Sequence, residues 1–135
     1  MATATVSSIE RKSQQPFFEM KKRMRWLVGP SAPKTADELP FARRNEKGYM
    51  VWWDVTPPKT DYWHAHEMLG RAYAFDLLDY VHNPESDATD RTIGIVCKAV
   101  SEWAATTHHR AGACGVQSGF FGVLGEFIRT GTAER

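Results

Sequence analysis

A His-x-His pair, a cysteine set between glycines and a row of alternating cations are the places in this 135-residue chain where chemistry could reside. His64 and His66 form the pair, His82 lies further along, and Asp61 and Glu67 stand close by. Imidazole nitrogens suit zinc, copper or nickel. On a helix, however, residues two apart do not share a face, so His64 and His66 could serve one metal only if the helix began after them. The three- or four-residue spacing of His-Glu-x-x-His is absent, as is Cys-x-x-Cys. The expectation is no metal and no cofactor, with these histidines on a helix surface or core edge.

Cys114 stands in Gly112-Ala113-Cys114-Gly115, at the expected start of the last helix. Free N–H groups and the helix dipole favour a thiolate there, and His108 or His109 could serve as its base. Tight packing that admits only small residues explains the same run. The glycines at 112, 115 and 119 match neither the dinucleotide fingerprint nor the phosphate loop ending in Gly-Lys-Ser/Thr, and no strand precedes them.

The cations are Lys21, Arg23 and Arg25, alternating with Met20, Met24 and Trp26. Alternation of this kind fits a strand with one buried and one wet face. Its charges would then recur every ~6.6 Å, a row able to follow a phosphate backbone. Arg43 and Arg44 could widen that patch. The same stretch also fits a helix, since Phe17, Met20, Met24, Leu27 and Val28 would share one helical face. Trp52 and Trp53 point to opposite sides of any strand, so at most one is core and the other is a candidate interface anchor.

These residues need elements to hold them. Residues 1–15 read as a flexible tail without signal-peptide character, and residues 16–135 as one domain. Strands are expected at 18–28 and 49–55, paired antiparallel across the 29–47 connection, in which Thr35 could cap a short helix. Three helices follow: one capped by Thr60 or Asp61 and running to about His82, one starting at Asp87 or Thr89, and one from about Cys114 to Arg129. In the last, Val116, Phe120, Val123, Leu124 and Phe127 make an apolar stripe beside a small-residue stripe of Gly115, Ser118, Gly119, Gly122 and Gly125. An interior helical glycine costs up to ~1 kcal/mol relative to alanine, so a second backbone should approach closely. That backbone belongs to the central helix or to the same helix of a second subunit. The fold class is therefore α+β, a short antiparallel sheet packed on a three-helix C-terminal half, with an all-helical fold as the alternative.

Hydrophobic content of 42% and charged content of 24% are ordinary for a globular domain, and the net charge of +1 gives no overall pull toward nucleic acid. Charge is nevertheless segregated: residues 1–50 carry net +5, residues 51–90 net −6 and residues 91–135 net +2. Such separation marks complementary faces, within one fold or between subunits. Two cysteines and no apolar span point to a cytoplasmic protein off the membrane. The function class favoured is a non-enzymatic accessory, inhibitor-type or regulatory protein that binds another protein, with a homodimer allowed. A nucleic-acid regulator using Lys21, Arg23 and Arg25 is the alternative, and a small cysteine- or metal-dependent enzyme the second.

Overall fold

The computed structural model describes residues 26–135. The tail expected at 1–15, and Lys21, Arg23 and Arg25 with most of the strand expected at 18–28, lie outside the described residues. Trp26–Val28, the end of that strand, is irregular. The architecture is α+β, with a two-stranded antiparallel sheet in the N-terminal half and three helices in the C-terminal half. Strand β1 is Arg43–Arg44 and β2 is Met50–Val51, paired as Arg43 with Val51 and Arg44 with Met50. The helices are α1 (Trp63–His82), α2 (Thr92–Thr106) and α3 (Arg110–Thr130).

Among the described residues the partner of β2 thus comes from the stretch assigned to a connection. Local turn chemistry decides this. Asn45 Oδ1 accepts hydrogen bonds from the Lys47 and Tyr49 amides at 3.0 and 2.9 Å, and Gly48 takes φ 82°, a left-handed conformation that glycine adopts without steric cost. The ladder continues past the strand ends, with the Asp54 amide donating to Phe41 O at 2.8 Å. Both β1 residues are exposed, so no hydrophobic alternation advertises the strand. Thr35 occupies the N-cap position of a single 3-10 turn (Ala36–Glu38) but makes no side-chain cap.

Helix α1 ends at His82 as expected, where Asn83 and Pro84 follow, but it starts at Trp63, with Tyr62 rather than Asp61 or Thr60 at the N-cap position. Helix α2 begins at Thr92, after a turn in which Thr92 Oγ1 accepts from the Thr89 amide at 3.0 Å. Helix α3 begins at Arg110, four residues before the expected start. The small residues ahead of Cys114 are helical because Pro57 and α1 pack hard against this face. A β-carbon at Gly112 would lie 2.6 Å from Pro57 Cβ, and one at Gly115 would lie 2.5 Å from His66 Cβ. Further on, Gly119 faces the Glu67 backbone and Gly70 faces Val116 and Phe120. Contacts advance in step along both helices, His82 meeting Phe127 at the far end, so α1 and α3 run parallel with α2 as the return.

The irregular N-terminal segment covers this helical layer with large side chains. Leu39, Phe41, Trp53 and Val55 are buried with Leu77, Leu78, Val96, Val100, Val116, Phe120 and Val123. Trp53 is central, with its ring centroid 5.0 Å from both Phe41 and Phe120. Its Nε1–H has no hydrogen-bond partner among the described residues and lies in this aromatic cage, where Tyr73 and Trp103 complete edge-to-face contacts.

A second cluster closes the other side of α1. Trp26 rests on Phe75, His82 and Phe127 and donates Nε1–H to Asp79 at 2.6 Å. Arg135 bonds both Asp79 oxygens at 2.8 Å and lies 5.0 Å from the Phe75 ring. Beside it, burial and then the negative charge of Asp79 push the Asp76 carboxyl above its ordinary range, partly offset by Arg135. The folded state therefore favours protonated Asp76. Its contribution is fully present below about pH 4 and is lost as pH rises through the raised folded value. Asp76→Asn is expected to match the parent in melting temperature near pH 3 and to exceed it increasingly toward pH 7; an equal gain at both pH values would contradict this.

Ion pairs among the described residues link some of the oppositely charged blocks inside the fold. Lys34–Glu85, Arg43–Asp54 and Arg135–Asp79 each join oppositely charged blocks of the chain. Among the described residues no helix is long and apolar enough to cross a membrane.

Candidate functional site

Among the concave surfaces of the described residues, two bring the N-terminal segment against the later helices. The first is a groove of about 650 Å³ between β2 and α2. Met50, Val51 and Trp52 form one wall, Ile95, Ala99 and Trp103 the other, with Lys98 and Glu102 at the rim. The walls arise from two periodicities. Alternation along the extended chain sends Trp53 into the core, 5% exposed, and leaves its neighbour Trp52 half-buried in the groove. On α2, Val96 and Val100 face inward, while Ile95 lies off that stripe and is 42% exposed. Because the sheet has only two strands, the edge of β2 away from β1 is unpaired among the described residues.

The second is a cleft of about 550 Å³ between residues 57–61 and the start of α3, lined also by Trp63 and His66. His66 fixes its wall. The residue is 4% exposed, and Nε2–H donates to Pro58 O at 3.1 Å, which assigns the proton to that nitrogen because a carbonyl can only accept. His108, His109 and Arg110 border the same cleft.

The sequence-derived candidates scatter over the molecule. His64 is exposed at the start of α1, His66 is buried one side further round, and His82 lies at the other end with Nδ1 2.8 Å from Leu78 O. Among the described residues no group of three His, Cys, Asp or Glu side chains is arranged to hold a metal. Cys114 is exposed in the second turn of α3, beyond the free N–H groups of the first turn, and is not part of the cleft that His108 and His109 border. The thiolate argument from the helix start therefore falls away. Cys97 is half-buried, and burial pushes its thiol up, away from the reactive form.

Arg43 and Arg44 are exposed but engaged, Arg43 with Asp54 and Arg44 with Asp37 at 2.7 Å. Both are thereby partly neutralised as anion contacts. The small-residue stripe divides in two. Gly115 and Gly119 pack on α1, whereas Ser118 and Gly122 are exposed, with open space where a Gly122 β-carbon would stand.

Sequence reading passed over Ile95 and Trp103 as groove residues and Lys59 and Arg110 as cleft residues. Ile95 had a signal, an apolar residue off the buried stripe of an amphipathic helix. The cleft had none, because its two walls are nearly fifty residues apart in the chain. Comparison of the chain with protein-family models, with curated proteins and with solved structures finds no match.

Proposed function

We propose that this protein is a non-enzymatic interaction module that binds another protein through the groove between β2 and α2. The observation that carries the reading is the pairing of half-buried Trp52 and Trp103 with exposed Ile95 beside a strand edge that is unpaired among the described residues. Aromatic anchors in a concave surface are where binding energy concentrates in protein interfaces. A free edge offers main-chain hydrogen bonds to an extended segment of the partner. The two unpaired thiols, Cys97 and Cys114, suit a cytoplasmic setting, where they would persist. Within this reading the protein acts as an accessory or inhibitor of the partner it binds.

The test is affinity capture by the tagged full chain from lysate of its own host, with nuclease, comparing the parent with Ile95→Glu. A partner retained by the parent and lost by the variant, at a cost of about 2 kcal/mol in binding, is the expected outcome. Identical partners on both proteins would remove the groove from the reading. Recovery that collapses with nuclease would transfer it to nucleic acid and to Lys21, Arg23 and Arg25. A circular-dichroism spectrum unchanged in Ile95→Glu keeps the comparison one of binding.

A further inference from the structure

We propose that residues 131–135 are a latch that closes over Trp26 through Asp79, and that latch and Trp26 open together while the helical layer stays folded. The inference is independent of the groove. Helix α3 ends at Thr130, and Gly131 takes φ 77°, the left-handed conformation that turns a chain back on leaving a helix. Glu134 and Arg135 are thereby laid along α1. Beyond Gly131 no bond between main-chain groups holds the segment among the described residues. Side chains hold it instead: Arg71 of α1 donates to Glu134 O at 2.8 Å, and Glu126 Oε1 of α3 accepts from the Glu134 amide at 3.4 Å. A segment outside any ladder opens at a lower free energy than the helices it lies on.

The hub of the latch is Asp79. One Arg135 guanidinium nitrogen donates to both of its oxygens at 2.8 Å, and Trp26 Nε1–H donates to Oδ1 at 2.6 Å. The guanidinium also lies 5.9 Å from the Trp26 ring and 5.0 Å from the Phe75 ring, within reach of cation–π attraction. The Asp79 side chain is 14% exposed, so its charge rests on these donors more than on water. The adjoining cleft of about 570 Å³ is lined by Glu38, Asp76 and Asp79, with Arg135 as its one cation.

Coupling follows from this sharing. Without Arg135, a largely buried carboxylate beside Asp76 keeps one neutral donor, and the water it must then draw in competes for the place of the Trp26 indole. Without Trp26, Arg135 loses a ring it lies on and Asp79 loses a donor. Each closure favours the other by the same factor, because coupling between two equilibria is reciprocal. Trp26 also rests on Phe75, His82 and Phe127, so opening exposes an aromatic face that the closed form covers. Lys21, Arg23 and Arg25 come just before Trp26 in the chain, so the latch fixes the point to which this cationic run is attached.

The experiment is NMR on the ¹⁵N-labelled full chain, with two readouts. One is protection of the Trp26 indole Nε1–H from exchange with water; the other is the ¹H–¹⁵N NOE of residues 132–135. Arg135→Gln is expected to lower indole protection about tenfold, the loss of a charge-assisted hydrogen bond. Arg71→Gln is the sharper test, because Arg71 bonds the latch but neither Trp26 nor Asp79. It should lower indole protection about threefold, acting only through the latch. Trp26→Ala should drop the NOE of residues 132–135 to the values of a mobile tail. In the parent, indole exchange should be indifferent to about 1 M urea, whereas the Leu77 and Val123 amides should speed up. Indole protection unchanged in Arg71→Gln, or an unchanged NOE in Trp26→Ala, would overturn the coupling. An indole as sensitive to urea as those core amides would overturn the local opening, since exchange would then require global unfolding. An amide fingerprint of the three helices matching the parent shows that each variant is folded.

Discussion

Gly119→Leu is expected to leave the chain without a cooperative unfolding transition at 25 °C. A β-carbon at this position would drive into the Glu67 carbonyl and lie 3.0 Å from Glu67 Cα, and backbone cannot yield as a side-chain tip can. The helices would have to separate along their whole crossing, where Gly70 meets Val116 and Phe120 just as closely. The expected cost exceeds about 4 kcal/mol, against a total stability of about 5–15 kcal/mol for a domain. Gly122→Ala is the counterpart. Nothing lies within 4 Å of its β-carbon position, so the variant should gain about 0.5–1 kcal/mol from helix propensity and a less flexible unfolded chain. Urea melts followed by circular dichroism read both. Sedimentation of Gly122→Ala adds a second readout, because a fall in particle mass would mean that the exposed face of α3 joins subunits. A cooperative melt of Gly119→Leu near that of the parent would contradict the crossing.

Trp53→Ala is expected to cost about 3–5 kcal/mol, the range for emptying a buried large aromatic site. Phe41, Tyr73, Trp103 and Phe120 all rest on this ring, so the cavity would open at the junction of the N-terminal segment and the helical layer. Trp53→Phe should cost clearly less, since it keeps an aromatic ring and removes a buried donor that has no partner among the described residues. Trp52→Ala makes the contrast. Its half-buried ring should contribute about 1 kcal/mol to stability, with the larger loss falling on partner binding. Equal destabilisation by Trp52→Ala and Trp53→Ala in denaturant would show that the adjacent indoles share one environment, against the alternation that separates core from groove.

Local pattern was enough to read part of this protein. The existence of three C-terminal helices and the end of α1 at His82 follow from apolar residues recurring every three or four positions and from Asn83-Pro84, while the strand content of the α+β class was legible at 49–55, where β2 lies, signals contained within single segments. The same periodicity predicted that glycines on the last helix need a close neighbour. Tertiary structure alone decided which of them have one: Gly115 and Gly119 press on α1, while Ser118 and Gly122 face outward. It also decided that α3 starts at Arg110, because the packing of Gly112 on Pro57 and Gly115 on His66 offsets glycine's poor helix propensity. The hairpin partner of β2 is two exposed arginines, invisible to any hydrophobic pattern and paired through an Asn45–Gly48 turn. The two concave surfaces were illegible for the same reason. The groove joins residues 50–53 to 95–106, and the cleft joins residues 57–66 to 108–112. Periodicity along a chain records which way each side chain faces; which distant segment it then meets is set by how the helices pack.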